Sequence, residues 1–80
     1  MRSEAEIRTR LRSFVRRRAG DRPVSDSTPL LADRILRSVH VPELILLLER
    51  LRGAPIDVER LRPGDVDSID AIVERFGPAS

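Results

Sequence analysis

Apolar residues recur at helical intervals in three stretches of the chain. Ile7, Leu11, Phe14 and Val15 fall at i, i+4, i+7 and i+8, one stripe of an amphipathic helix. They predict a helix over about residues 3–19, stopped by Gly20. Its surface suits that reading: Glu4 with Arg8 and Glu6 with Arg10 are i,i+4 pairs in the favoured order, and Arg16, Arg17 and Arg18 stand where a helix C-terminus welcomes cations. Val41, Leu44, Ile45, Leu48 and Leu51 share one face of a second helix over 41–52, with Gly53 just past its end. Ile69, Ile72, Val73 and Phe76 repeat at i, i+3, i+4 and i+7 and predict a third over 67–76, capped by Asp67 and ended by Gly77 and Pro78.

The connections differ in kind. From Asp21 to about Arg37 runs a long crossover in which Pro23, Ser25, Asp26, Ser27, Thr28 and Pro29 favour turns. Leu30, Leu31, Ile35 and Leu36 give it apolar anchors, so it should lie across the bundle. Asp57 is placed to cap a short helix over 57–62 that carries Val58 and Leu61 and stops at Pro63 and Gly64. No segment alternates polar and apolar over five or more residues, so no strand is expected. The expected architecture is all-α, a single domain over 1–80: a small bundle of three main helices plus one short helix, with a long loop between the first and second helices.

A second apolar strip leaves the core face. Val39, Pro42 and Leu46 point away from it beside Ser38, flanked by Glu43 and Arg50. One reading is a leucine that meets the long loop or stands exposed by itself; the other is a docking surface for partner proteins.

Charge changes the picture only in part. All fifteen basic residues are arginine against thirteen carboxylates, for a net charge of +2. With neither Lys, Tyr nor Cys present, the isoelectric point near 10.9 reflects a flat titration curve rather than a large charge. The first 22 residues hold eight arginines against Glu4, Glu6 and Asp21, a net of +5, and the rest of the chain is acidic. Arg8, Arg12 and Arg16 form an i,i+4 row with Arg10, Arg17 and Arg18 nearby, the one feature that suits nucleic acid or another acidic partner. Phe14 and Phe76 both belong to core faces, leaving no aromatic platform for single strands, so nucleic acid is not the expected partner. The lack of Cys excludes disulfides and thiolate chemistry. The charged start, with no apolar run, argues against a signal peptide or membrane span, making a cytoplasmic location the expectation.

From Thr28 to Phe76 the order and spacing of residues resemble an acyl or peptidyl carrier protein. The residues concerned are Ile35, Leu36, Arg37, Ser38 and Val39, then Glu43, Leu44 and Ile45, Leu48 and Glu49, Gly53, Ile56, and finally Asp67 through Ile72. The resemblance implies a carrier-type helix bundle without catalysis of its own. By it, Ser38 is the residue that would carry a covalent 4'-phosphopantetheine arm, whose thiol holds the cargo as a thioester, so that the cofactor supplies the chemistry and the protein supplies position and recognition. Arg37, Val39, Pro42, Glu43, Leu46 and Arg50 would meet the partners. Those implied are a phosphopantetheinyl transferase and the enzymes that load, condense or tailor acyl or aminoacyl groups, as in fatty acid, polyketide or nonribosomal peptide synthesis.

Two positions depart from the family pattern: Arg37 precedes the serine where the family has Asp, and Arg34 stands where Gly is common. A carrier-like module that has lost its arm is the reading Arg37 favours. Taken as chemistry alone, Ser38 also suits an ordinary helix cap. His40 with Ser38, oriented by Asp33 or Glu43, suggests a nucleophile pair, though residues two apart face each other poorly. A lone His among scattered acids supports no metal site. Pro42 places the start of regular helix several residues beyond Ser38.

Overall fold

A computed structural model describes residues 3–77. The first helix, α1, runs Glu4–Ala19 and begins where Ser3 Oγ accepts from the Glu6 amide at 3.3 Å. It ends at Gly20, whose φ of 65° lies in the left-handed region that glycine enters without strain. Helix α2 runs Val41–Arg52 and ends at Gly53 with φ 68° and ψ 24°. Helix α3 runs Ile69–Phe76. Among the described residues there is no strand, and no helix is long and apolar enough to cross a membrane.

All four residues of the α1 stripe are buried, as are Leu44, Ile45, Leu48 and Leu51 of α2 and Ile69, Ile72, Val73 and Phe76 of α3. Val41 is only partly buried, at the rim of the same core. The crossover supplies three buried residues to the interior, one fewer than α2 or α3. Leu30, Ile35 and Leu36 are buried and Leu31 packs against the core, each full burial contributing roughly 1.5–3 kcal/mol.

The short elements differ from expectation in three respects. The turn after Asp57 is a 3-10 turn over Val58–Arg60 only, because Leu61 is extended at φ −71°, ψ 131°. Its cap is the expected one, Asp57 Oδ1 accepting from the Glu59 amide at 3.1 Å. Pro63 opens a further 3-10 turn, Pro63–Val66, instead of ending the previous one; a fixed φ and a missing N–H suit the first position of a helical turn. That turn buries Val66. Third, α3 starts at Ile69 rather than at 67, and Ser68 caps it in place of Asp67. Ser68 is extended and its Oγ accepts from the Ala71 amide at 3.0 Å, whereas Asp67 completes the preceding turn and its carbonyl accepts from Leu30. Another 3-10 turn, Ser38–His40, leads into α2. Among the described residues the bundle therefore has three main helices and three short turns; Pro78, expected to close the last helix, lies outside them.

The crossover is pinned by charge as well as by leucine. Asp26 accepts from Arg12 Nε and Nη2, both at 2.8 Å, and from Arg8 Nη1 at 2.7 Å. Arg8 Nη1 also reaches Asp70 at 2.7 Å, and its Nε reaches Glu4 at 3.2 Å. The Asp70 amide in turn donates to the Asp26 carbonyl at 2.9 Å. One aspartate thus joins α1, the crossover and the start of α3. Arg12, with Arg8 assisting, holds the Asp26 carboxyl below its ordinary range against an opposing effect of burial. Asp70 and Asp26 raise the Arg8 pKa, and Asp26 raises that of Arg12. At the other end, Arg22 donates to the carbonyls of Asp33 at 2.9 Å and Arg34 at 3.1 Å. That bend puts Arg34 at φ 59°, the one left-handed non-glycine residue among those described.

Two predictions follow from the crossover. Arg34→Gly relieves a conformation disfavoured for residues with a Cβ, and after the entropy lost by glycine it should raise stability by about 0.5–1 kcal/mol; a lower urea midpoint would refute this. Because the Asp26 pKa is lowered on folding, its contribution is complete above the unfolded-state value and lost as pH falls through the folded one. Stability should therefore drop below about pH 4, while the raised arginines titrate far on the alkaline side and lose nothing there. Asp26→Asn should cost about 1 kcal/mol at neutral pH, the low end for a charge-assisted bond in a partly solvated site, and should flatten the acid dependence of the urea midpoint.

Candidate functional site

The backbone at Ser38 is set by its neighbours. Arg37 is extended at φ −104°, ψ 164°, and the chain then winds one 3-10 turn before α2 begins at Val41, with Pro42 in its first turn. Regular helix starts three residues beyond the serine, as Pro42 implied. The turn is closed twice. The His40 amide donates to the Arg37 carbonyl at 2.8 Å, and the Arg37 amide donates to His40 Nδ1 at 3.0 Å.

The hydrogen bonds of this turn do not involve the Ser38 hydroxyl. Ser3 and Ser68 are capping serines, each with Oγ on an amide three residues ahead. Ser38 is the first residue of its turn rather than the cap, which is Arg37, and among the described residues Ser38 Oγ makes no hydrogen bond. The side chain is exposed. An outward hydroxyl at the positive end of a helix is open to derivatisation, and backbone N–H groups there favour a phosphate. The Ser-His pair is absent from this geometry, since Nδ1 of His40 is engaged by the Arg37 amide and no bond joins the two side chains. Among the described residues no group of three or more His, Asp or Glu side chains could hold a metal ion.

Beside the serine the second apolar strip is at the surface. Val39 is 69% exposed and Leu46 57% exposed, so Leu46 does not meet the long loop; Pro42 is exposed with them. Val58, which sequence reasoning placed on the short turn without a role, is 59% exposed and joins the strip. Between it and α2 lies a groove of about 530 Å³ lined by Val41, Pro42, Ile45, Leu46, Val58 and Leu61, with Glu49 at its edge. Glu49 has a structural task, its Oε2 accepting from the Ile56 amide at 2.8 Å and holding the chain after α2. No signal in spacing marks Val58 as exposed; only the short 3-10 turn turns it outward.

The charged residues around the strip fall into two groups. Glu43 is paired with Arg18 Nη2, tying the N-terminal turn of α2 to the end of α1. Arg18 lies 3.6 Å over the Phe14 ring and donates to the Phe14 carbonyl at 3.0 Å, a stacked and bonded cation with little freedom. Arg37 and Arg50 are exposed and form no ion pair among the described residues. The basic row on α1 is depleted in the same way: Arg8 and Arg12 clasp Asp26, so of the i,i+4 row only Arg16 has no partner among the described residues.

No protein-family model matches the chain, and no curated protein matches it.

The role assigned to His40 makes a local prediction. His40→Ala removes the acceptor of the Arg37 amide and should speed hydrogen exchange at that amide, while global stability changes by no more than about 1 kcal/mol, the usual worth of one such bond. Unchanged exchange at Arg37 would show that the turn does not need the imidazole.

Proposed function

We propose that the protein is a carrier which holds an acyl or aminoacyl group as a thioester on a 4'-phosphopantetheine arm attached through Ser38 Oγ. The observation that supports this reading is the exposed hydroxyl of Ser38, three residues before α2, which makes no hydrogen bond among the described residues. A carrier needs a nucleophilic oxygen that a modifying enzyme can reach, and it needs nothing catalytic around it. The phosphodiester would sit against the N-terminal end of α2, where the helix dipole and Arg37 both favour an anion. The arm's thiol supplies the thioester chemistry; this chain supplies a fixed attachment point and a surface for partners. The exposed strip of Val39, Leu46 and Val58 next to the serine is suited to that second task. A cytoplasmic location, in the company of enzymes that load, condense or tailor the cargo, belongs to the same proposal.

One specific feature favours a second reading. Arg37 is exposed and unpaired directly before Ser38, and a guanidinium there can hinder the transferase that installs the arm. The same face would then act as an unmodified interaction module. The nucleic-acid reading loses ground, because Arg8 and Arg12 are occupied within the fold.

Incubation with coenzyme A and a broad-specificity phosphopantetheinyl transferase should add one phosphopantetheinyl group to the native chain, seen by intact mass, and none to Ser38→Ala. A native chain that stays unmodified while a control carrier is loaded, together with loading of Arg37→Asp, would favour the interaction module. No loading of either protein would remove the carrier reading.

A further inference from the structure

His40 is the only histidine of the chain, and it closes the turn that carries Ser38. Two hydrogen bonds join it to Arg37. One is backbone to backbone, the His40 amide donating to the Arg37 carbonyl at 2.8 Å. The other runs the opposite way, the Arg37 amide donating to His40 Nδ1 at 3.0 Å. The first survives any change of protonation. The second does not, because a ring nitrogen accepts only while it carries no proton, and both nitrogens of an imidazolium are donors. The cap therefore exists in one protonation state and one tautomer, with the ring proton on Nε2.

Nothing around the turn replaces that bond once it is lost. The charged side chains on the surrounding elements are Arg37 on the turn itself, Glu43 at the head of α2, Arg18 reaching over from α1, and Arg22, Asp33 and Arg34 at the bend of the crossover. Glu43 is held by Arg18, and Arg22 is spent on two carbonyls. No carboxylate forms an ion pair with the imidazole among the described residues. Protonation instead sets a second positive charge three residues from the exposed Arg37. We infer that this turn is a pH-sensitive switch: a proton on His40 Nδ1 releases the Arg37 amide, and the segment around Ser38 passes from a twice-closed turn to a looser one. The bond is present above the imidazole titration and lost as pH falls through it. Histidine is the side chain that changes charge between about pH 5 and 8, so the switch acts where the Asp26 clamp, lost below about pH 4, stays closed. Resting on the carrier reading, the looser turn adds an ordering step at Ser38 and slows attachment of the arm in acid.

Two readouts test the switch, and only the second needs a carrier. In NMR spectra of the intact protein taken between about pH 8 and 5, the Arg37 amide should shift with the same midpoint as the His40 ring protons. Its protection against hydrogen exchange should fall roughly fivefold, the worth of one hydrogen bond, while the amides of the three helices keep theirs. His40→Gln places a carboxamide oxygen at the third position of the turn, where Gln is a usual acceptor for the cap amide, and has no titrating proton; its Arg37 amide should stay protected throughout. With coenzyme A and a broad-specificity phosphopantetheinyl transferase, the ratio of native to His40→Gln loading rates should fall roughly fivefold over the same range. An Arg37 amide that ignores the imidazole titration overturns the inference, as does a glutamine variant that loses protection in acid like the native chain. Loss of protection across all three helices at the same midpoint also overturns it, since the event is then general unfolding. A constant loading ratio overturns the consequence for the arm. Absence of mass gain on both proteins would instead remove the carrier reading, and the amide titration then decides the switch alone.

Discussion

A crossover without regular helix has to be held in place, and the rest of this bundle depends on how that is done. Two kinds of interaction share the work. Burial of Leu30, Ile35 and Leu36 provides most of the free energy, since each removes a whole apolar side chain from water. The Asp26 pairs with Arg8 and Arg12 contribute less, because exposed and half-exposed ion pairs are weak, but they are directional. Leucines can slide along an apolar surface; a carboxylate held by two guanidiniums at set distances cannot. The clamp fixes which part of the crossover lies over α1, and through Arg8 to Asp70 it fixes the start of α3 as well.

The far end of the crossover delivers Ser38. Arg22 bridges the carbonyls of Asp33 and Arg34, the chain bends through a left-handed Arg34, and Leu36 is drawn into the core one residue before the extended Arg37. With the path ending there, the residues that follow must point outward until α2 begins. The exposure of Ser38 and Val39 is thus a consequence of how the crossover is anchored. His40 closes the turn by accepting from the Arg37 amide, and the Ser38 hydroxyl makes no hydrogen bond among the described residues. The proposed carrier function grows from this one junction.

Arginine has two different uses here. Arg8, Arg12, Arg18 and Arg22 are structural, bonded to carboxylates or to backbone carbonyls. The planar fork of five N–H donors suits this better than a lysine ammonium. Arg37 and Arg50 are exposed instead and form no ion pair among the described residues. A count of charges along the chain mixes the two uses.

The sequence by itself determined the three helices, their core faces and the stops or caps at Gly20, Gly53 and Asp57, because these depend on residues within one or two turns of each other. It also placed Val39 and Leu46 away from the core, since helical periodicity is local. The tertiary structure alone decided that Ser68, not Asp67, opens α3, because the Asp67 carbonyl is needed by Leu30 across the bundle. It decided that Val66 is buried and Val58 is not, through the winding of two adjacent short turns. Above all it decided the partners of the charged side chains. Long flexible arginines reach residues 14, 18, 25 and 62 positions away, and no spacing rule along the chain contains that information.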